Sequence, residues 1–381
     1  MTRVGYRGSG LPGAAVQRHP GAADRVPRDP RRESLRLRLT ALAWDIGWEA
    51  ARRMPERAAF AGADALGRLA WRVARGARQR VRANLSRVVP SDQLGSAVRD
   101  AFRSYARYWA ELFRAADLDP DDLDSRTTAD GMERLDAVLD EGGGAIVLLA
   151  HHGTWDIAAV WAESHGYHLA VVAEILRPRR LFAKFVRARE AVGLDVVPLR
   201  RGKGLVERLQ GTLADNHLVG LLSDRDLSGR GSLVELFGEQ CRLPAGPAVL
   251  ARRTGSPVVP ISMLHRPGRR WHLQVLEPLR IADLEVDAGM QQIAGAIERL
   301  VLLDPAQWHA FQPIWSADRS AGRRPDSAPA EPASARRSDP PPADSERLSA
   351  AESGDAVVPS APESGEAAPP GGASSPRGAA S

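Results

Sequence analysis

The chain is poor in cysteine, lysine and aromatic residues, and it has no long apolar run. Cys241 is the single cysteine among 381 residues. That excludes an intramolecular disulfide and a cysteine-based metal cluster. It leaves a small hydrophobe rather than an obvious nucleophile. Lys184 and Lys203 are the only lysines, so arginine carries the net charge of +5. A bias toward arginine and alanine is weak ground for a nucleic-acid partner, and none is expected. A basic surface still favours anionic partners such as phospholipid headgroups. The apolar stretch "LTALAWDIGWEAA" is interrupted by Asp45 and Glu49 and falls short of the ~20 apolar residues a spanning helix needs. The first residues carry arginines with no apolar stretch behind them, unlike a signal peptide. Any membrane contact is therefore expected to be peripheral.

What is present divides the chain into three. Residues 1–32 are rich in Gly, Pro and Arg without periodicity and read as a disordered basic arm. Residues 320–381 are a Pro/Ala/Ser-rich tail of the same character. Residues 33–319 read as one globular domain, in which 33–118 is helical and 119–319 is an α/β core. In the helical part, Leu35, Leu39, Leu42 and Ile46, with Leu37, Ala41, Trp44 and Trp48, form one wide apolar face flanked by Arg36, Arg38, Arg52 and Arg53. Two readings stand: a helix packed on the domain, or an interfacial helix with its tryptophans at headgroup depth. Val98, Phe102, Tyr105, Trp109, Leu112 and Phe113 form a second stripe, read as core.

From Ala145 onward short β-branched runs ("AIVLLA", "LAVVAE", "DVVPL", "LVGLLS", "PVVPISML") alternate with helical segments ("WDIAAVWAES", "RRLFAKFVRAREAVG", "KGLVERLQGTLADN"). "SLVELF" and "WHLQVLEPLR" add further strands. This alternation predicts an α/β fold with a largely parallel central sheet flanked by helices.

The usual nucleotide and hydrolase signatures are absent. "RGKGLVE" has Glu207 where a dinucleotide fingerprint needs glycine, and the stretch before Gly202 and Lys203 lacks the first glycine of a P-loop. There is no G-x-S-x-G and no H-E-x-x-H. His151 and His152 are adjacent, so in an extended segment they point apart, and no metal site is expected.

"LLAHHGTWD" is the distinctive stretch. A buried strand delivers His151 to the carboxyl end of the sheet, the edge at which open α/β sheets bind ligands. Thr154 is a suitable N-cap, and Asp156 falls in the first helical turn. A carboxylate folded back toward His151 can fix the imidazole tautomer and make it a general base. An aspartate there also serves the helix dipole, worth ~0.3–1 kcal/mol, so the spacing alone leaves both readings open.

The surrounding blocks add weight to the catalytic reading. "LLAHHGTWD" resembles the H-x4-D block of the glycerolipid acyltransferase superfamily, and more narrowly the lipid A acyltransferase family with its actinobacterial phosphatidylinositol mannoside branch. Five further segments resemble later blocks in order: "VVAEILRP", "FVRAREAVGLDVVPL", "LLSDRDLSGRG", "ELFGEQCRLPAGPAVLARRTGSPVVP" and "DPAQWHAFQPIW". "ARYWAELFR" resembles the helical segment before them. The sequence departs at His152, where a small polar residue is usual, at Thr154, where Asn is usual, and at Asp224, where the mannoside branch carries Glu.

The resemblance implies transfer of a fatty acyl group, such as palmitoyl, from acyl-CoA to a mannose hydroxyl of a membrane-embedded phosphatidylinositol mannoside. This would occur at the cytoplasmic face of the cell membrane, on an anionic surface, with acyl-CoA as co-substrate and no cofactor. His151 would be the base, with Asp156 and Asp224 contending to orient it. Asp224 is one methylene shorter than the usual Glu, and if it falls short Asp156 would act alone. Glu174, Arg189, Arg225, Asp226 and Gly246 are the expected substrate-binding positions: the arginines for phosphates unless they pair with Glu190 and Asp226, Glu174 for sugar hydroxyls, and Gly246 at a helix start whose amides can accept an anion. Two other readings remain, a lipid A-type transferase fed by acyl carrier protein and a non-catalytic peripheral membrane or nucleic-acid binding protein.

Overall fold

The computed structural model describes residues 35–175, 179–199, 204–226 and 228–321. The arm at 1–32 lies outside them. So does the tail from residue 322 on, whereas residues 320 and 321 still belong to a helix.

Four helices come first: α1 (Leu35–Arg53), α2 (Glu56–Val73), α3 (Arg75–Leu85) and α4 (Leu94–Arg114). A short α5 (Pro120–Ser125), capped by the Asp119 side chain, leads into β1 (Thr127–Asp130) and α6 (Met132–Asp140). The alternating part follows as β2 (Ala145–Leu149), α7 (Trp155–Ser164), β3 (Leu169–Ala173), α8 (Arg179–Glu190), β4 (Asp195–Pro198), α9 (Gly204–Ala214) and β5 (Leu218–Leu222). A hairpin of β6 (Ser232–Leu236) and β7 (Glu239–Leu243) precedes α10 (Gly246–Thr254), β8 (Val258–Arg266), β9 (Arg270–Val275), α11 (Val286–Leu302) and α12 (Ser316–Ala321).

Seven strands form the central sheet in the order β1-β9-β8-β2-β5-β3-β4. Every pairing is parallel except β8 with β9, which the tight turn at 267–269 makes antiparallel. The expected largely parallel α/β architecture is the observed one. β6 and β7 stand apart as an antiparallel ribbon, because "SLVELF" alternates in burial and packs one face on α11. β2 lies at the centre and is buried along its whole length. One core cluster fills the sheet face toward α9, α10 and α11, and a second fills the face toward α6 and α7.

α1 corrects one expectation. Its tryptophans do not lie at an exposed face. Trp48 is buried, and both Trp44 and Trp48 pack into an aromatic cluster with Trp109, Phe113 and Phe185. The leucine side of the same helix faces outward: Leu35, Leu39, Leu42 and Ile46 are 72%, 57%, 53% and 61% exposed. The stripe on α4 is core, as expected, with Val98, Phe102 and Leu112 buried.

Candidate active site

The register of the sheet builds the site. In the β2–β5 pairing Leu149 stands opposite Leu222. His151 and Asp224 each lie two residues beyond that pair, so parallel strands deliver them side by side. Ser223 N–H still donates to the Leu149 carbonyl at 3.0 Å, holding the two strand ends in step. Asp224 Oδ1 then lies 2.6 Å from His151 Nδ1. Despite its shorter side chain, the aspartate reaches the histidine.

The tautomer follows from the partners. Arg225 donates from its terminal nitrogen to His151 Nε2 at 2.9 Å. A guanidinium has only donors and an ionised carboxylate has only acceptors. His151 therefore carries its proton on Nδ1, toward Asp224, and its lone pair on Nε2. Burial and the Arg225 charge lower its proton affinity below the ordinary imidazole value, while Asp224 pulls the other way. Burial alone would raise the Asp224 carboxyl. The hydrogen bond from His151, the Arg225 charge and a hydrogen bond from Trp308 overcome it and hold the group well below the usual carboxylate range. A neutral imidazole held by an ionised carboxylate can accept a proton.

The other carboxylate of the H-x4-D stretch serves a different group. Asp156 is buried at the first turn of α7. Its Oδ1 accepts from Arg189 Nε at 2.7 Å, and its Oδ2 accepts from the Tyr108 hydroxyl at 2.8 Å and Arg189 at 3.2 Å. This two-pronged pair ties α7 to α8, and the tyrosine ties both to α4. Arg189 is thus committed to Asp156: burial works against its charge, and the charge and hydrogen bonds of Asp156 outweigh burial and keep it charged. Thr154 occupies the N-cap position but makes no capping bond, and its buried hydroxyl finds no partner. The expected cap is replaced by backbone contacts. Gly153, at φ +63°, lies so close to Met263 that a Cβ would sit 2.0 Å from its carbonyl oxygen, and Thr154 N–H donates to that same oxygen.

His152 turns away from His151. Its ring lies between the Ser262 hydroxyl, 2.8 Å from Nδ1, and the Asp304 carbonyl, 2.9 Å from Nε2. Burial lowers its pKa to about 4. Among the described residues no group of three His, Cys, Asp or Glu side chains is arranged to hold a metal ion.

The remaining expected positions fall at different distances from this centre. Glu174 follows β3 at the same carboxyl edge and is half-buried. Asp226 is fully buried, and its carboxylate takes Ser228 N–H, the Ser228 hydroxyl and Gly231 N–H, closing its own loop. Gly246 opens α10 inside the core, where that helix packs against β2, α9 and α11.

Three residues near the centre had no chemical role in the sequence reading. Trp308 is fully buried and donates from Nε1 to Asp224 Oδ2 at 2.9 Å. Tyr108 holds Asp156 and stacks on Trp155 at 4.1 Å between ring centroids. His309 sits among Tyr105, Tyr108 and Trp155, with its backbone N–H on the His151 carbonyl. Trp308 and His309 lie inside the segment "DPAQWHAFQPIW", and Tyr108 inside "ARYWAELFR", so the resemblance of those segments was the signal available.

The model of the bacterial lipid A biosynthesis acyltransferases matches residues 27–317. The chain belongs to this family. It is an acyltransferase. A phosphatidylinositol mannoside acyltransferase of Mycolicibacterium smegmatis is 37% identical over 290 residues, covering 75% of this chain and 94% of the relative. One from Mycobacterium tuberculosis is 36% identical over 307 residues, covering 79% and 96%.

Proposed function

We propose that the protein transfers a fatty acyl group from acyl-CoA to a mannose hydroxyl of a phosphatidylinositol mannoside, with His151 as general base. The observation that carries the mechanism is the neutral imidazole, its Nδ1–H on Asp224 and its Nε2 lone pair facing away from the carboxylate. The acceptor is inferred from the likeness to the two mycobacterial proteins over most of their length. In the reaction Nε2 takes the proton of the sugar hydroxyl, whose oxygen attacks the thioester carbonyl. As the carbon–sulfur bond breaks, the imidazolium returns that proton to the departing thiolate. Asp224 stabilises the imidazolium throughout. Asp156 holds the turn through Arg189 and Tyr108 and acts as a positioning residue.

A peripheral seat on an anionic membrane at the cytoplasmic face suits these substrates. Among the described residues no helix is long and apolar enough to cross a membrane. The exposed leucine face of α1, with Leu66, Leu69 and Val73 exposed on α2, offers apolar surface for the lipid boundary.

The test offers the purified chain labelled palmitoyl-CoA with mannosylated phosphatidylinositol, a lipid A precursor and a lysophospholipid side by side. Label should pass to the mannolipid. Transfer to the lipid A precursor, with acyl carrier protein as the better donor, would establish the other acceptor. His151→Ala should lower turnover by roughly 10²–10⁴-fold, the contribution of a positioned general base. A His151→Ala enzyme with normal turnover would remove the base assignment.

A further inference from the structure

The proposed base is already occupied. Nε2 of a neutral imidazole has one lone pair, and the Arg225 guanidinium fills it at 2.9 Å. A hydroxyl proton cannot be taken by the same lone pair until the guanidinium leaves. Arg225 also differs from its neighbour Arg189. Arg189 is fixed by two bonds to buried Asp156, whereas Arg225 has no ion-pair partner within 4 Å among the described residues and its described side-chain hydrogen bond goes to a neutral ring. A partly buried cation with no carboxylate in direct contact gains most from an anion formed beside it.

We infer that Arg225 is a displaceable cap on His151 and then a catalytic residue that holds the oxyanion of the attacked thioester. This rests on the base assignment above. The acceptor oxygen takes the guanidinium's place at Nε2, and the carbon it attacks lies next to it. The thioester oxygen is one bond further on, so a short swing leaves Arg225 within hydrogen-bond reach of the oxygen that becomes negative. The cap serves a purpose: while Arg225 sits on Nε2 the base cannot activate water, and the acyl donor is protected from hydrolysis. The guanidinium charge beside the ring also lowers the proton affinity of His151.

The test compares wild type, Arg225→Gln and Arg225→Lys in the full chain by two independent measurements. Steady-state kinetics with palmitoyl-CoA and mannosylated phosphatidylinositol should show kcat lowered roughly 10²–10³-fold in Arg225→Gln, the loss for one oxyanion donor, with KM for palmitoyl-CoA near wild type and a smaller loss in Arg225→Lys. The second measurement needs no turnover: carbethoxylation of His151 by diethyl pyrocarbonate, followed by peptide mass. It should quicken several-fold in Arg225→Gln, because the lone pair is released. A raised KM with kcat retained would make Arg225 a phosphate holder and overturn the oxyanion role. Unchanged carbethoxylation would overturn the cap. Failure of the base assignment shows separately, as turnover retained by His151→Ala.

Discussion

The carboxylate that serves His151 is set by an indole. Asp224 has two oxygens, one on His151 and one on Trp308 Nε1. With both taken the carboxylate has a single orientation, and a side chain one methylene shorter than the Glu the resemblance leads one to expect still meets the imidazole. Trp308 is therefore a positioning residue. Trp308→Phe keeps most of the packing and removes the donor. A hydrogen bond to a charged group is worth ~1.5–3 kcal/mol, so kcat should fall roughly tenfold to hundredfold with little change in KM. The pH profile separates this role from packing. Without the indole, Asp224 draws the Nδ1 proton more strongly and raises the proton affinity of His151. The acid limb of kcat/KM should then move to higher pH; a fall in kcat with the limb unmoved would mean that Trp308 only fills space.

At the scale of elements, α1 shows how one amphipathic pattern can serve two surfaces. Trp44 and Trp48 face α4 and α8, where Lys184 also pairs with Asp45 at 3.0 Å. Arg52 pairs with Asp117 at the far end of the helix. These contacts fix the rotation of α1 and leave Leu35, Leu39, Leu42 and Ile46 in a row on the outside. Burying each such side chain in lipid is worth ~1.5–3 kcal/mol. Leu39→Asp with Leu42→Asp should weaken binding to vesicles containing anionic lipid by at least tenfold in a flotation assay. The thermal midpoint should stay within a few degrees, since neither side chain contributes to the core. Vesicle binding unchanged by the pair would place the lipid contact elsewhere.

Over the whole molecule, buried imidazoles make stability depend on pH. His152 is neutral in the fold with a pKa of about 4, against an ordinary value of 6.5. Between these values the unfolded chain binds a proton that the native protein refuses, so stability rises with pH and is lost as pH falls through that window. The full effect of one such group is roughly 3 kcal/mol. His151 and His309, also lowered by burial, act in the same sense. Glu163, raised by burial to about 7 from 4.5, opposes them within that range, because the native state holds its proton as pH rises. Urea denaturation from pH 7.5 to 5 should show a falling midpoint on acidification. His152→Gln, which keeps hydrogen-bonding capacity without titrating, should flatten the slope; an unaltered slope would show that His152 does not carry it.

The sequence by itself determined the strands of the alternating core and the helices between them, but not β1 or β7, and it placed His151 at the end of β2. Apolar runs and helical spacing are local properties, and the chain order of the blocks carried the family resemblance. It also left the right question open, since nothing local decides which carboxylate meets His151. The tertiary structure decided that. Asp224 is 73 residues away in the chain and arrives through the β2–β5 register. Trp308 is 84 residues beyond Asp224 and arrives when the closing segment pairs with the turn. Asp156, five residues from His151, is held instead by Tyr108 and Arg189, because the helices that carry them fold against its carboxylate. The outward side of α1 was settled in the same way. Periodicity shows that a helix has an apolar face, but only its packing partners determine which part of that face is buried.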